Sequence, residues 1–478
     1  MTEASSVDRQ FPDTRSFRVV DVQVNSPRYA RIDTRGFNIR NMVSEINLYE
    51  HIDKPYITGN MFIADPPGGI SITNSLNLKG TENLLIKLKT ASNNVSVNGD
   101  NLEIEKKFII TEVIAQNKST DRSEGFIIHF IEDHAYLSAL KNLNRSYNGT
   151  IRDIIGQILS DELKKEMLVR PEIQYEPFQD KFTKVIIPNL NPLKAVNWLK
   201  DRVTTEKGYP YYLYSSIGDD KLRFLDLETM LEQKAMNDEP LPPYVYGSAT
   251  QSTEPGGAST RAEAFNILEY YNSRSENSLE LARRGYIGAR YNFVDTTSGR
   301  QEKVDFHIID VYKDLMNRNL LDEKSQVPTY DFEAVFENEL GDARMDQFAT
   351  REITTYITSN QYQDYNEYGS YHDAATPELC KNKVIAKSLR YWLHKSPMTI
   401  VVPGRNFMKK NSNMTLGNKI NVLFLSASSD TGSNSDLVDR KKSGSYLINS
   451  AKHTFVGQQT NDQKYSVTLD LIRLGGVT

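Results

Sequence analysis

Alternation of apolar and polar residues, the mark of a half-buried strand, recurs at both ends of this chain. Glu45-Ile46-Asn47-Leu48-Tyr49-Glu50 alternates residue by residue, Pro55 blocks continued regular pairing, and Tyr56 to Asp65 is a second strand-like run. Far downstream, Gly444 to Phe455 and Tyr465 to Leu471 read the same way. From Phe17 to Ile131 the signal is mostly strand: Leu84 to Lys89 alternates at its end, and Phe108 to Ile114 and Phe126 to Ile131 are rich in β-formers. Asn98-Gly99-Asp100 is a hairpin-turn signal between two of these runs.

The period then changes. Thr150 is placed to cap a helix whose Ile151, Ile154, Ile155, Ile158 and Leu159 line one face. Asn191-Pro192 is a second helix entry, with Leu193, Val196 and Leu199 facing inward behind it. Tyr211 to Tyr214 and Leu222 to Leu225 read as a strand pair turned near Gly218-Asp219-Asp220. Pro240, Pro242, Pro243, Pro255, Gly256 and Gly257 crowd 237–261 and predict a linker. Phe265, Leu268 and Tyr271 fall in helical period, with a second part through Leu279, Leu281 and Ala282 that stops at Gly285. Tyr286 to Asp295 and Lys303 to Val311 predict a hairpin around Thr297-Ser298-Gly299. Residues 320–376 carry the least pattern. Cys380 to Leu393 reads as helix, Met398 to Val402 and Ile420 to Leu425 resume the β pattern, and Ser426 to Ser443 is a polar loop.

These elements predict an α+β fold, mainly antiparallel β, with β-rich regions at both ends and helical material between them. A chain of 478 residues has room for roughly three domains at about 150 residues each. Net charge is 57 minus 62, or −5, which argues against tight binding to nucleic acid or anionic membrane. Cys380 is the lone cysteine, so no intrachain disulfide forms. The first residues lack the basic and apolar regions of a signal peptide, and no apolar run is long enough to span a bilayer.

The search for chemistry returns little. None of the seven histidines sits in a His-Glu-x-x-His motif. His129 and His134 flank Glu132 and Asp133; a metal or acid–base cluster is one reading, and a strand end followed by a polar turn is the preferred one. Asp364-Tyr365-Asn366-Glu367-Tyr368-Gly369 opens like a calcium loop but has Tyr368 at its fifth position and Ala375 where the bidentate glutamate belongs. There is no Walker loop, nucleophile elbow or dinucleotide fingerprint. No catalytic, cofactor or metal residue is assigned. Tyr362, Tyr365, Tyr368 and Tyr371 recur every three residues in a polar segment, either as a tyrosine-rich surface loop or as a partner surface for a protein.

In order and spacing, four segments resemble the baseplate hub protein of contractile-tailed bacteriophages, a fold family that includes the hub-like part of type VI secretion spike proteins. They are the Glu45 to Asp65 strand pair with Pro55 and Gly59; Asn144 to Thr150 leading into the isoleucine helix, followed by Leu190 to Leu199; Asn277 to Tyr286 before a strand with Asp295; and Leu416 to Ile420 followed by Gly444 to Ile448 and His453. The resemblance covers roughly 17–475.

The resemblance implies two similar tube-type β-barrel domains with α+β and helical domains inserted between and beside them. The division it predicts is a polar tail at 1–16, a first barrel at 17–138, an α+β domain at 139–236, a linker at 237–261, a second barrel from 262–319 and 394–478, and an inserted segment at 320–393. It implies a non-enzymatic hub in the virion tail baseplate, assembled in the host cytoplasm. As a homotrimer with six quasi-equivalent barrels, it would join a six-fold tail tube or tube initiator to a three-fold central spike. Surrounding baseplate proteins would contact it, and genomic DNA would pass its bore without specific binding, an assignment that suits a net negative chain. Neither a cofactor nor membrane insertion is expected. The fold motif carries over onto Pro55, Ile57, Gly59, Met61, Gly285, Tyr286, Tyr446, Leu447 and His453. The chain is long for a simple hub, the excess falling in 320–376 and 426–443. Type VI spike proteins append an OB-fold and a β-helical spike; here the last strand is soon followed by the end of the chain, so the spike is expected to be a separate polypeptide. The alternatives are a virion-associated cell-wall or polysaccharide hydrolase using scattered carboxylates, and a carbohydrate-binding adhesin using Tyr362 to Tyr371.

Overall fold

The computed structural model describes 17–25, 36–65, 78–90, 103–120, 123–169, 183–246, 264–272, 288–295, 301–317, 351–357, 398–425, 442–457 and 464–473, with shorter pieces between 279 and 439. The first β region holds β1 (Phe17–Asn25), β2 (Phe37–Asn38), β3 (Val43–His51), β4 (Thr58–Asp65), β5 (Asn83–Thr90), β6 (Glu103–Thr120) and β7 (Ser123–Glu132). An α+β stretch follows: α1 (Asp133–Ala139), β8 (Ser146–Gly149), α2 (Ile151–Leu163), β9 (Met167–Leu168), β10 (Thr183–Ile186), α3 (Pro192–Lys200), β11 (Tyr211–Tyr214), β12 (Leu222–Asp226) and α4 (Leu227–Glu232). Next come β13 (Tyr244–Tyr246), β14 (Glu269–Asn272), β15 (Gly288–Asp295), β16 (Gln301–His307), α5 (Ile308–Asn317), β17 (Val335–Phe336), β18 (Ala343–Arg344) and β19 (Arg351–Ile357). The chain finishes with β20 (Met398–Pro403), β21 (Lys419–Phe424), β22 (Gly444–Val456) and β23 (Lys464–Arg473).

The α+β fold, mainly antiparallel β, is as the sequence predicts. One 13-stranded sheet joins both ends of the chain in the order β14-β20-β23-β22-β3-β4-β7-β6-β5-β1-β2, with β21 and β13 branching from β22. Within it one pairing scheme occurs twice. In the first half β3 pairs β4, β4 pairs β7, β7 pairs β6, β6 pairs β5 and β5 pairs β1. In the second half β14 pairs β20, β20 pairs β23, β23 pairs β22, β22 pairs β21 and β21 pairs β13. The halves differ at the last pair, which is antiparallel for β1·β5 and parallel for β13·β21.

The repetition reaches single residues. The β6·β7 register slips between Ile110 and Glu112, and the β22·β23 register slips between Ile448 and Ser450. Before β5 the Thr81 N–H donates to the Ile110 carbonyl at 2.7 Å; before β21 the Gly417 N–H donates to the Ile448 carbonyl at 2.9 Å. The reciprocal bonds run from Ile110 N–H to Glu82 and from Ile448 N–H to Asn418. Both donors sit in the left-handed region, with φ of 82° at Thr81 and 70° at Gly417. That conformation suits glycine and strains threonine, so the same turn is made twice with different residues.

Among the described residues neither half closes through continuous ladders into a barrel. In the first half, β2 lies on β1 and the chain then bends through a 3-10 turn into β3. In the second, a single bridge, Val245 to Asn266, leads into β14. Side chains fill these bends. One apolar core runs through both halves, and Phe17 of β1 meets Phe455 of β22 edge-on with ring centroids 5.2 Å apart.

The helices form where capping and period agree. Thr150 accepts from the Asp153 N–H at 3.1 Å, and Ile151, Ile154, Ile155, Ile158 and Leu159 are buried on α2. Asn191 accepts from the Lys194 N–H at 2.8 Å and Pro192 occupies the first turn of α3. Three local expectations do not hold, two of them overturned by tertiary pairing. Tyr244–Tyr246, inside the breaker-rich stretch read as a linker, is a strand because β21 offers it an edge. Glu269–Asn272, read as helix from Phe265, Leu268 and Tyr271, is a strand on β20, with Phe265 and Ile267 buried. Ile308 to Val311, read as the end of a strand, opens α5. β15 pairs β16 antiparallel and β19 in parallel, in a sheet of its own. The Asn98-Gly99-Asp100 turn lies outside the described residues, as do most of the Ser426 to Ser443 loop and of the stretch from 320 to 381.

Met61 and Ile57 are fully buried beneath the first half of the sheet. An aspartate at Met61 would bury an unpaired carboxylate at a cost of several kcal/mol, about the scale of a domain's stability. Met61→Asp is therefore expected to abolish cooperative unfolding in a thermal melt, whereas Met61→Leu should shift the midpoint by only a few degrees.

Candidate functional site

The two halves meet where β22 runs antiparallel to β3, with Ser450 opposite His51 and Val456 opposite Glu45. β22 is long enough for two partners on one edge: 444–447 pair β21 and 450–456 pair β3. The other edge pairs β23 along 446–456. The alternation of Glu45 to Glu50 seen in the sequence puts Ile46 and Leu48 into the core, while Tyr49 keeps partial exposure.

A buried polar cluster pins this joint. Glu50 is 2% exposed, and its carboxylate accepts from the Thr415 hydroxyl at 2.5 Å and from the Ile217 N–H. His453 approaches the same carboxylate, with Nε2 3.5 Å from Oε2, and its Nδ1 lies 2.8 Å from the Tyr465 hydroxyl. Burial, with the Glu50 charge adding to it, pushes the Tyr465 phenol well above its ordinary value, so it keeps its proton. The Tyr465 ring stacks on Phe455 at 4.2 Å. Gly404 faces that ring so closely that an added Cβ would overlap it. A carboxylate, an imidazole and a phenol lie in a row, with His453 0% and Tyr465 1% exposed, and they tie β3, β22 and β23 to one another.

A second cluster lies beside the start of β4. Glu132 accepts from Lys106 Nζ at 3.1 Å and from the Ile57 N–H at 2.8 Å, and Lys106 also donates to the Asp219 carbonyl at 2.5 Å. His134 Nε2 lies 2.7 Å from the Pro55 carbonyl. Burial alone would raise the Glu132 carboxyl, but Lys106, then His134, Lys165 and the Ile57 N–H, hold it below its usual range. Burial likewise acts to lower Lys106, and Glu132 and Asp220 outweigh it and raise the ammonium. At Asp133 burial is opposed by hydrogen bonds from His134 and by Lys165, leaving its pKa at about 2. Glu132 ends β7 as expected and is enclosed, but no polar turn follows it: Asp133 opens α1 directly. Among the described residues no three His, Cys, Asp or Glu side chains are grouped to hold a metal ion.

Both clusters clasp the turn between β11 and β12. Ile217 gives its N–H to Glu50, and Asp219 gives its carbonyl to Lys106. Ser215 N–H reaches the Lys54 carbonyl at 3.4 Å. An added Cβ at Gly218 would collide with the carbonyl oxygens of Lys409 and Ser412 from the second half. The α+β unit thus plugs its turn into the joint and touches both halves. The sequence marked Gly218-Asp219-Asp220 only as a turn; a buried Lys106 on β6 and Glu50 on β3 carry no local signal of their shared partner.

The residues carried over from the resemblance spread over three places. Pro55, Ile57, Gly59 and Met61 gather at the start of β4, where a Cβ on Gly59 would overlap the Phe130 ring and lie 2.7 Å from the Asn47 carbonyl oxygen. Tyr446, Leu447 and His453 lie along β22 and are buried, with the Tyr446 hydroxyl donating to the Lys442 carbonyl at 2.5 Å. Gly285 stands apart, beside the β15 sheet, with φ of 77° and Arg351 and Ala289 close around it. Tyr286, Tyr362, Tyr365, Tyr368 and Tyr371 lie outside the described residues.

No protein-family model matches the chain, and no curated protein sequence does. Solved structures are similar over most of its length. The tail protein from Neisseria meningitidis MC58 is 13% identical, with a TM-score of 0.45, covering 96% of this chain and 97% of that one. The 43 kDa tail protein of prophage MuSo2 from Shewanella oneidensis is 9% identical, with a TM-score of 0.46, covering 95% and 98%. The E. coli c3393 protein, a type VI secretion component described as structurally similar to the T4 bacteriophage tail proteins gp27 and gp5, is 10% identical, with a TM-score of 0.37, covering 91% and 75%.

Removing Lys106 leaves a buried carboxylate without its cation. Lys106→Met should cost about 3–5 kcal/mol, and adding Glu132→Gln should restore much of it. In the unaltered protein Glu132 has a depressed pKa, so its contribution is present above the ordinary carboxylate pKa and lost as pH falls through the lower folded value. Lys106 is raised, so its contribution holds below the ordinary lysine pKa and is lost as pH rises through the higher folded value. In Lys106→Met the acid limb should reverse, stability rising as Glu132 takes up a proton. Denaturant melts from pH 7 to pH 4 that run parallel for the two proteins would refute the pairing.

Proposed function

We propose that this chain is the structural hub of a contractile-tail baseplate. Three copies form a pseudo-six-fold ring, because each brings two copies of one strand scheme. The observation that carries this reading is the repeated pairing order, with its matching bulges and left-handed turns, joined edge to edge through β3 and β22. A chain that already joins two such units laterally supplies a third of a six-unit ring, and a ring removes the sheet edges that invite aggregation.

In this role the ring meets a six-fold tail tube or tube initiator on one face and a three-fold central spike on the other. The outer α+β unit and the segment from 320 to 393 face surrounding baseplate proteins. Genomic DNA passes the bore once the spike has left, and a chain of net charge −5 has no overall excess of cations to retain phosphate. The joint is built to resist displacement, with its ionisable groups buried and paired, and the proposed function contains no catalytic step. The protein would be placed in the virion tail after assembly in the host cytoplasm, without entering a membrane. The tyrosines at 362, 365, 368 and 371 would belong to the surface that such neighbours contact, and Gly285 and Tyr286 to the fold motif.

Light scattering on the full chain, alone and with the candidate spike protein, tests this reading. A mass of three chains, or a three-to-three complex with the spike, is expected. A single chain in both samples, with release of fragments from purified cell wall, would replace the hub by a hydrolase.

A further inference from the structure

Among the described residues two strand edges carry no partner strand, and the internal joint shows how each is completed. Beyond its contact with β21, β22 receives β3 on the same edge. Its counterpart β6 pairs β5 over 103–109 and runs on along β7 to Thr120, but among the described residues no strand lies on its other edge from Glu112 onward. β3 is paired on both sides, by β4 and β22. Its counterpart β14 is paired by β20 on one side and by no described strand on the other. Both bare edges carry exposed apolar side chains, Ile114 at 39% and Tyr271 at 59%. Unpaired edges of this kind attract another chain.

We propose that β14 of a second copy fills the β6 edge, antiparallel, in the register that β3 takes on β22. This rests on the ring reading above and names the contact that closes it. The bulges align Ser450 with Glu112, and therefore His453 with Ala115. The ladders through β4 and β20 align Leu48 with Asn272. Leu48 lies opposite His453 inside the chain, so Asn272 of the second copy lies opposite Ala115.

The hydrogen-bond parity follows. Ile52 N–H donates to the Asn449 carbonyl and Gly457 N–H to the Ser44 carbonyl, so Ala451, His453 and Phe455 present their backbone groups to β3. Val113 and Ala115, their counterparts, present theirs to the empty edge. Two different strands make this contact, so it is head to tail and closes into a ring rather than a two-fold dimer. It is also the weaker joint. β14 has four residues where β3 has nine, and an alanine stands at 115 where His453 locks the internal joint. The ring should therefore come apart into folded chains on dilution.

Three variants of the full chain test the contact, the two cysteine pairs built with Cys380→Ser so that no other thiol is present. Asn47 and Thr454 are opposed at the internal joint, between its hydrogen-bonded pairs, so their counterparts Tyr271 and Gln116 should sit close enough for a disulfide. Tyr271→Cys is combined with Gln116→Cys, and separately with Asn117→Cys to cover the register slip of β6 beyond Ile114. One pair should yield disulfide-linked dimers and trimers under oxidation. Ala115→Pro removes one outward N–H and is tolerated on an edge facing water. It should keep the melting temperature and lower the mass from three chains to one. A three-chain particle that neither cross-links nor responds to the proline would overturn this contact and leave the ring reading in place. A single chain at every concentration, without cross-links, would overturn both.

Discussion

The constraint behind this structure is that a strand edge buried or exposed without a partner is costly. β22 meets it by serving three neighbours, β23 along one edge and β21 then β3 along the other. The switch of partner happens at the bulge between Ile448 and Ser450, which re-aims the strand from the core of its own half toward the other half.

Backbone pairing alone would let the joint slide, since a ladder is similar at every second residue. The buried polar groups fix its register. Glu50 reaches Thr415 and Ile217, and Lys106 joins Glu132 to the Asp219 carbonyl. Each of these groups is costly to bury and is satisfied only in one arrangement of the two halves and the β11–β12 turn. Buried charges of this kind add little net stability against an apolar core; their effect here is to define a single relative placement of three units.

The repeated scheme also explains where the chain tolerates additions. In the first half, β3 and β4 are joined by a short turn around Pro55. In the second, the equivalent connection between β14 and β20 carries β15, β16, α5 and β19. That addition leaves from the end of a hairpin, so the pairing of β14 with β20 is undisturbed, and a new sheet forms beside the old one.

The sequence alone determined what depends on near neighbours. Period-2 alternation placed β3, β4, β22 and β23. The Thr150 and Asn191 caps placed α2 and α3, because a cap and its helix lie within a few residues of each other. Tertiary structure decided everything that needed a distant partner. β13 and β14 are short and flanked by breakers or helical spacing, and they became strands because β21 and β20 offered them edges. The roles of Glu50, Lys106 and Gly218 were set by groups 365, 113 and about 190 positions away. Local pattern reports which face of a segment avoids water; which edge it joins is a contest between strands far apart in the chain, settled only when the whole sheet is assembled.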